Sequence, residues 1–175
     1  LVGIVWRIWQ GQPESVRQSE HLLYSLIPII AVLGMIVAGY LAYIEIREDE
    51  AVCGAVGDCN SVQQSDYARL FGVLPIGVLG LIGYVAILGA WWLSRRPTSD
   101  LVPLAHMAGL AMAIGGVGFS VYLTFLEPFV IGATCVWCLT SALLMLLILL
   151  LQAPQGWHAL NAKFHPKPIV SRRHL

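Results

Sequence analysis

Two cysteine pairs are the residues of this chain best suited to chemistry. Cys53 and Cys59 enclose five residues, Gly-Ala-Val-Gly-Asp, whose two glycines make the segment supple enough for the sulfurs to meet. Cys135 and Cys138 form a C-x-x-C motif at the start of a long apolar run, which is the spacing of redox-active dithiols. A helix N-terminus at this point stabilises a thiolate, and thiolate content controls exchange chemistry. The motif therefore predicts thiol–disulfide exchange.

The cysteines also have other interpretations from spacing alone. The C-x5-C pair is compatible with a plain structural disulfide, and four thiolates can bind zinc. The C-x5-C spacing is loose for zinc, and an oxidising compartment favours disulfides. A redox relay is the third interpretation, in which the loop pair exchanges with a soluble protein and the helix pair gives two electrons and two protons to a quinone.

The segments that must position these cysteines are strongly apolar. The 175 residues are 58% hydrophobic and 11% charged, whereas soluble domains carry about 25% charged residues. The formal net charge is zero, so nothing indicates a nucleic-acid partner. Four segments, roughly 22–46, 73–93, 101–126 and 135–152, have the length and composition of membrane spans. We expect an all-α membrane protein, a four-transmembrane-helix bundle with a cysteine-bearing outer loop at about 47–72 and a short loop helix.

The distribution of Lys and Arg predicts the orientation of the bundle. One side carries eight basic residues and the other side only Arg47 and Arg69, and the basic side is normally cytoplasmic. Both termini are then cytoplasmic, with segment 1–21 preceding the catalytic domain 22–152 and a basic tail, 153–175, following it. All four cysteines are expected on the opposite, oxidising side.

A faint internal repeat links the two cysteine pairs. Residues 40–45 (YLAYIE) and 122–127 (YLTFLE) each precede a cysteine, Cys53 or Cys135, with seven residues between. The segments belong to spans that run in the same direction, so the repeat is a parallel one. We interpret the glutamate that ends each segment as a marker of the membrane interface rather than a proton carrier.

Taken together, these motifs resemble the vitamin K epoxide reductase family in its bacterial form. The resemblance rests on the two cysteine pairs, on residues 60–67 (NSVQQSDY) and 71–75 (FGVLP), and on the C-x-x-C at the start of the last span. It covers residues 22–152. It implies a four-helix bundle around a quinone, capped by the loop that carries the first cysteine pair.

The resemblance assigns a role to each cysteine. Cys53 would exchange with a thioredoxin-like partner, and Cys59 would pass electrons to Cys135. Cys138 would face the quinone and form an adduct or a charge-transfer complex with it. Electrons would flow from protein thiols to ubiquinone or menaquinone, in support of disulfide formation outside the cytoplasm.

The same resemblance implies a cellular setting. The expected location is the bacterial plasma (inner) membrane, with the active site on the periplasmic side and a periplasmic thioredoxin-fold (DsbA-like) partner. Many bacterial members carry a fused thioredoxin-like domain, for which residues 153–175 are too few, so we expect a separate partner chain. The alternatives are vitamin K epoxide or quinone reduction in the strict sense, or a non-catalytic membrane protein with structural disulfides.

Further site residues follow from the family pattern. Ser65 matches a serine or threonine near the active site, although we favour a role as N-cap of the helix that begins at residue 66. By their own positions, Trp137 between the inner cysteines and Phe71 on an apolar face of the outer loop are expected to shield and roof the quinone, while interfacial placement of the tryptophan and ordinary packing of that face are equally good interpretations. Family members that reduce vitamin K hydrogen-bond its carbonyls through an asparagine and a tyrosine. The matching positions here are Ile76 and Ala142, which cannot donate, and this puts epoxide reduction in doubt.

Overall fold

The computed structural model describes residues 22–47, 49–53, 57–70, 73–96 and 101–164. These form five α-helices, a 3₁₀ turn, a π-helical turn and a two-stranded antiparallel sheet. The helices are α1 (Ile27–Arg47), α2 (Cys59–Gln63), α3 (Ile76–Ser94), α4 (Val102–Leu126) and α5 (Val136–Phe164). The 3₁₀ turn is Asp66–Ala68, the π-helical turn is Glu127–Ile131, and the strands are β1 (Arg69–Leu70) and β2 (Leu74–Pro75).

Four of the helical segments are long and apolar enough to cross a membrane. They are Leu22–Arg47, Ile76–Ser94, Val102–Ile131 and Val136–Asn161. Helix α1 packs mainly against α3 and α5, and α4 also packs against α3 and α5, so the spans form a ring in the order α1, α3, α4, α5. The predicted all-α bundle of four spanning helices is confirmed, and the short loop helix is α2.

The last helix differs from its prediction. The sequence predicts a last span of 135–152, yet α5 continues to Phe164 with Pro154 inside it, although a proline normally ends or kinks a helix. Close packing on α4 accounts for the continuation: Gly156 lies against the Leu110 side chain and Gly109 against Gln152. Neighbouring helices let a spanning helix tolerate the hydrogen bond that proline removes. The first part of the predicted tail is therefore helical.

Buried side chains form two clusters at different levels of the bundle. The larger one joins all four spans around Tyr84, Ile87 and Ile148. Tyr84 is fully buried, its ring lies directly on Gly34 of α1, and its hydroxyl donates to the backbone carbonyl of Ser141 at 2.9 Å. The smaller cluster, which we call the cysteine cluster, contains Ile44, Ala51, Cys59, Val62 and Cys135, with Cys53 and Cys138 packed against it.

Candidate thiol–disulfide active site

All four cysteines lie together in the cysteine cluster. Cys53 and Cys59 form a disulfide with 6.0 Å between their Cα atoms, whereas Cys135 and Cys138 are free thiols. Cys59 and Cys135 are fully buried, while Cys53 and Cys138 are partly exposed. The fold therefore brings a disulfide and a dithiol into one cluster from two distant parts of the chain.

A capped helix holds Cys59 in place. Asp58 is the N-cap of α2, and its carboxylate accepts hydrogen bonds from the backbone N–H of Ser61 at 3.1 Å and from the Ser61 hydroxyl at 2.6 Å. These bonds, with that from the hydroxyl foremost, hold the pKa of the Asp58 carboxyl below its usual range. Cys59 is the first residue of this helix, so the cap fixes its backbone.

The loop before α2 lies directly against the segment that precedes the C-x-x-C. The backbone N–H of Asp58 donates to the carbonyl of Thr134 at 3.0 Å. Gly57 has a φ of +96°, and a Cβ at this position would lie 2.5 Å from the same carbonyl oxygen. Only glycine combines this backbone angle with so close an approach. The contact places Cys59 beside Cys135.

The segment just before the first cysteine is fixed by three hydrogen bonds. The N–H of Val52 donates to the hydroxyl of Tyr40 at 3.0 Å, and the N–H of Ala51 donates to Oδ1 of Asn60 at 2.6 Å. The indole Nε1 of Trp137 donates to the carbonyl of Val52 at 3.0 Å, and its ring lies 4.9 Å from that of Tyr40. Trp137 thus ties the outer segment to the C-x-x-C helix.

Cys135 occupies the N-cap position of α5. Its carbonyl accepts the N–H of Leu139 at 3.0 Å, and its sulfur accepts the backbone N–H of Cys138 at 3.3 Å. The Cys138 sulfur lies 2.7 Å from the Cys135 sulfur, and Nε2 of Gln63 lies 4.0 Å from the Cys135 sulfur and 3.8 Å from that of Cys138. The bond from the Cys138 thiol, supported by the backbone and Gln63 bonds, lowers the pKa of Cys135 against the opposing effect of burial.

Two buried glutamates adjoin the cysteines. Glu45 is 7% exposed and Glu127 is 2% exposed. Oε2 of Glu45 accepts the backbone N–H of Gly77 at 2.8 Å, and Oε2 of Glu127 accepts that of Cys135 at 2.9 Å. Each carboxylate is buried where it satisfies a backbone N–H at the start of the next spanning helix, a role that our interpretation of both as interface markers did not include.

A cavity of about 30 Å³ lies beneath α2. Its wall includes the sulfur-bearing residue Cys138 and a mainly apolar surface, made by Val62, Ala68, Ile76, Leu123, Leu126 and Ile131. Polar groups also reach it, namely those of Glu45, Gln63, Ser65, Tyr67 and Glu127. Among the residues that the structure describes, none forms a hydrogen bond with the buried Oε1 of Gln63, so a bound molecule that donates a hydrogen bond would satisfy it.

The predicted site residues are distributed unevenly around this cavity. Ser65 and Ile76 line it, but the lining formed by the described residues does not include Trp137 or Ala142. Phe71 lies outside the residues that the structure describes.

Ser65 stands at the N-cap position of the 3₁₀ turn without a side-chain capping bond, so the predicted cap is wrong. Its hydroxyl instead donates at 2.7 Å to the carbonyl of Val62, at the end of α2.

Sequence reasoning missed three polar residues of the site: Gln63, Glu45 and Glu127. A signal was present for each. Gln63 follows Cys59 by four residues, the spacing that places two side chains on one face of a helix. The two glutamates end the repeated segments at the same distance from a cysteine. The repeat places both glutamates at the same distance from a cysteine, but it does not show that they are buried beside the thiols.

Comparison with known proteins agrees with this geometry. The model of the vitamin K epoxide reductase family matches residues 25–153. Among curated proteins, the thiol-disulfide oxidoreductase LTO1 of Arabidopsis thaliana is 29% identical over 119 residues, which is 63% of this chain and 30% of that protein. The chain thus spans about a third of the length of this relative. By the extent of the family match, this chain belongs to the vitamin K epoxide reductase family.

Proposed function

We propose that this protein is a membrane thiol–quinone oxidoreductase. It takes two electrons from the dithiol of a thioredoxin-fold protein and passes them through Cys53 and Cys59, then through Cys135 and Cys138, to a quinone. One observation carries the proposal: a disulfide and a dithiol share one cluster, and Cys138 of the dithiol lines a cavity. The family match and the thiol-disulfide oxidoreductase relative support it.

The exposure of the outer disulfide supports the direction of the first step. Cys53 is partly exposed, whereas Cys59 is fully buried. An external thiolate can therefore reach the sulfur of Cys53, and the S–S bond then breaks with Cys59 as the leaving thiolate. That thiolate forms inside the cluster, where Cys135 is also buried. A second thiol of the donor resolves the mixed disulfide, so that the donor is oxidised and the outer pair is reduced.

The second step moves the electron pair from the outer cysteines to the inner ones. The Cys59 thiolate attacks Cys135 of an inner disulfide, and Cys138 leaves as a thiolate. Cys53 then attacks Cys59, which restores the outer disulfide and releases Cys135. The lowered pKa of Cys135 makes it a good leaving group. An outer disulfide beside an inner dithiol, as found here, is the product of this step.

The lining of the cavity supports a quinone site. Its wall combines apolar side chains, the Cys138 thiol and the unpaired Oε1 of Gln63, which a quinol hydroxyl could satisfy. When bound, a quinone supplies an acceptor for two electrons and two protons. At about 30 Å³ the cavity holds only one or two water molecules, so the lining side chains must separate to admit the ring. Ile76 cannot donate to a carbonyl, which does not favour epoxide reduction.

The cellular setting belongs to the same proposal. The excess of Lys and Arg on one side of the spans supports cytoplasmic termini and an active site on the periplasmic face of a bacterial inner membrane. There a DsbA-like thioredoxin-fold protein is the proposed donor, and ubiquinone or menaquinone the proposed acceptor. Reoxidation of that donor would support disulfide formation outside the cytoplasm.

The test is quinone reduction by the detergent-purified protein with a reduced thioredoxin-fold protein as donor. Wild type should turn over, and both Cys53→Ala and Cys138→Ala should fail. Dithiothreitol, which can reduce the inner pair directly, should rescue Cys53→Ala but not Cys138→Ala. Wild-type protein that reduces neither ubiquinone nor menaquinone analogues with any donor would contradict the proposal and favour two structural cysteine pairs.

A further inference from the structure

The two buried glutamates have a common arrangement that capping alone does not require. Glu45 comes from the end of α1 and Glu127 from the end of α4, yet both line the cavity together with Cys138. Each uses one carboxylate oxygen, Oε2, for a backbone N–H. An uncharged side chain such as glutamine could supply that acceptor equally well, so the acidity of both residues needs a separate explanation.

Ionisable groups are costly inside a membrane protein and commonly mark proton routes. Glu127 lies beside the thiol of Cys138 as well as on the backbone of Cys135. Glu45 is near enough to Cys138 for the two groups to interact electrostatically. Both carboxyls therefore adjoin the sulfur that would react in the cavity.

The other titratable and charged groups around the two carboxyls are few among the described residues. Tyr67 shares the cavity wall, and Arg69 lies near enough to attract the carboxylate of Glu45. The Cys135 thiol is near enough to Glu127 for the two groups to interact electrostatically, and the Cys135 backbone N–H donates to the same carboxylate. Apart from the cysteines and Tyr67, the two glutamates are thus the acidic groups that the described residues bring to the cavity wall.

We propose that Glu45 and Glu127 carry the protons of the reaction, an inference that rests on the proposed thiol–quinone activity. Oxidation of the Cys135–Cys138 dithiol forms one S–S bond, breaks two S–H bonds and releases two electrons and two protons. Reduction of one quinone to one quinol consumes the same two electrons and two protons. Each carboxylate accepts one proton from the thiol side and, as a carboxylic acid, gives one proton to a quinone oxygen.

Substitution by glutamine separates this role from capping. In Glu127→Gln and Glu45→Gln the amide oxygen still accepts the backbone N–H, but the side chain no longer exchanges a proton. We expect each variant to keep the wild-type midpoint of thermal unfolding and to lower quinone reduction roughly 100-fold, a typical contribution of one acid–base group. Glu50→Gln, which changes an exposed acid of the outer segment, is the matched control and should reduce quinone at the wild-type rate.

A second readout does not depend on a quinone. Infrared difference spectra of the detergent-purified protein, recorded as dithiothreitol converts the inner disulfide to the dithiol, report carboxyl protonation directly. We expect a carboxyl C=O band that changes on reduction and shifts in D₂O. Part of this band should be lost in Glu127→Gln and part in Glu45→Gln, while Glu50→Gln should retain it in full.

The outcomes separate this inference from the proposed function. If the carboxyl band responds to the cysteines but the protein reduces no quinone, the result supports proton exchange by the glutamates and contradicts the proposed quinone reduction. Two results would overturn the proton role and leave the glutamates as caps. One is quinone reduction at the wild-type rate in both glutamine variants, and the other is an infrared difference spectrum without a carboxyl C=O band. If a glutamine variant unfolds at a lower temperature, Glu→Asp at the same site keeps the acid and should retain the infrared band.

Discussion

The two halves of the bundle use the same residue in different surroundings. In the first half Glu45 binds the N–H of Gly77, 32 residues further along the chain. In the second half Glu127 binds the N–H of Cys135, only eight residues away. The carboxylate caps the next spanning helix in both cases, but a disulfide-bearing loop is inserted only in the first. The equivalent positions are therefore Gly77 and Cys135, not Cys53 and Cys135.

This difference separates a structural junction from a reactive one. At the first junction the residue that meets the carboxylate is a glycine, because a Cβ would overlap the backbone of Ala42 and lie 2.9 Å from Oε2 of Glu45. At the second junction it is a cysteine whose sulfur accepts three hydrogen bonds. We expect substitutions at the first junction to affect mainly folding, and substitutions at the second to affect mainly thiol chemistry.

The largest expected effect is on stability, at the first junction. Gly77→Ala places a methyl group against the backbone of α1, and overpacking of this kind costs about 3 kcal/mol. The midpoint of thermal unfolding in detergent should fall clearly. Gly80→Ala is the matched control on the same helix, since its Cβ would make only an ordinary 3.5 Å contact with Ala38. Equal stability of the two variants would mean that the junction is not tightly packed.

Removal of each carboxylate tests the difference between the junctions directly. Glu45→Ala and Glu127→Ala each leave a buried N–H without its acceptor, which costs about 2 kcal/mol. The loss of stability should be similar in both. Only Glu127→Ala also removes a negative charge that opposes ionisation of Cys135, whereas Glu45 interacts with Cys138. Glu127→Ala should therefore shift the Cys135 titration, followed by thiolate absorbance, to lower pH, and Glu45→Ala should leave that titration unchanged. A shift in both variants, or in neither, would contradict the assigned separation.

The inserted loop is tested through its docking contact. Gly57→Ala forces a residue with a side chain into the left-handed region at a cost of about 1–2 kcal/mol and pushes the loop off Thr134. Electron transfer from the outer to the inner cysteines should slow about tenfold, whereas dithiothreitol-driven quinone reduction should not change. Gly132→Ala carries a similar backbone cost at φ +76°, and no described residue lies within 4 Å of the added Cβ. This variant should transfer electrons faster than Gly57→Ala.

The smallest expected effect concerns Gln63. Gln63→Leu removes a hydrogen bond that lowers the pKa of Cys135, so the thiolate titration should move to higher pH. At a fixed pH below that pKa, the thiolate fraction and the rate of exchange should fall. Folding should be little affected, because the substitution also removes an unpaired buried acceptor. Gln64→Leu, at an exposed neighbouring position, should leave the titration where it is in wild type.

Much of the fold could be predicted from local patterns. The four apolar runs predict four spans, because an apolar run long enough to cross a bilayer is seldom found outside a membrane helix. The cysteine spacing predicts which sulfurs can pair. The extension of α5 past Pro154 could not be predicted, since it depends on α4 packing beside it. The prediction that Ser65 caps the following helix was wrong for a similar reason, because its hydroxyl donates instead to the carbonyl of Val62.

The polar part of the site was the hardest to predict. Intramembrane carboxylates have several uses, and the choice among them depends on which backbone N–H lies in reach. Glu45 meets Gly77 only because α1 and α3 pack closely at a glycine, a contact between residues far apart in the chain. The shared spacing of Glu45 and Glu127 from a cysteine correctly indicates that the two glutamates occupy equivalent positions. It does not predict the backbone N–H groups that they bind.

The hydrogen bond from Trp137 to Val52 has an optical consequence. An indole that donates to a carbonyl and lies against a tyrosine ring, as this one does, has an emission that depends on both neighbours. If the segment bearing Cys53 moves outward to meet a donor protein, this indole loses its acceptor and gains water. The difference in fluorescence between wild type and Trp137→Phe would then follow loop undocking in real time, without an added label.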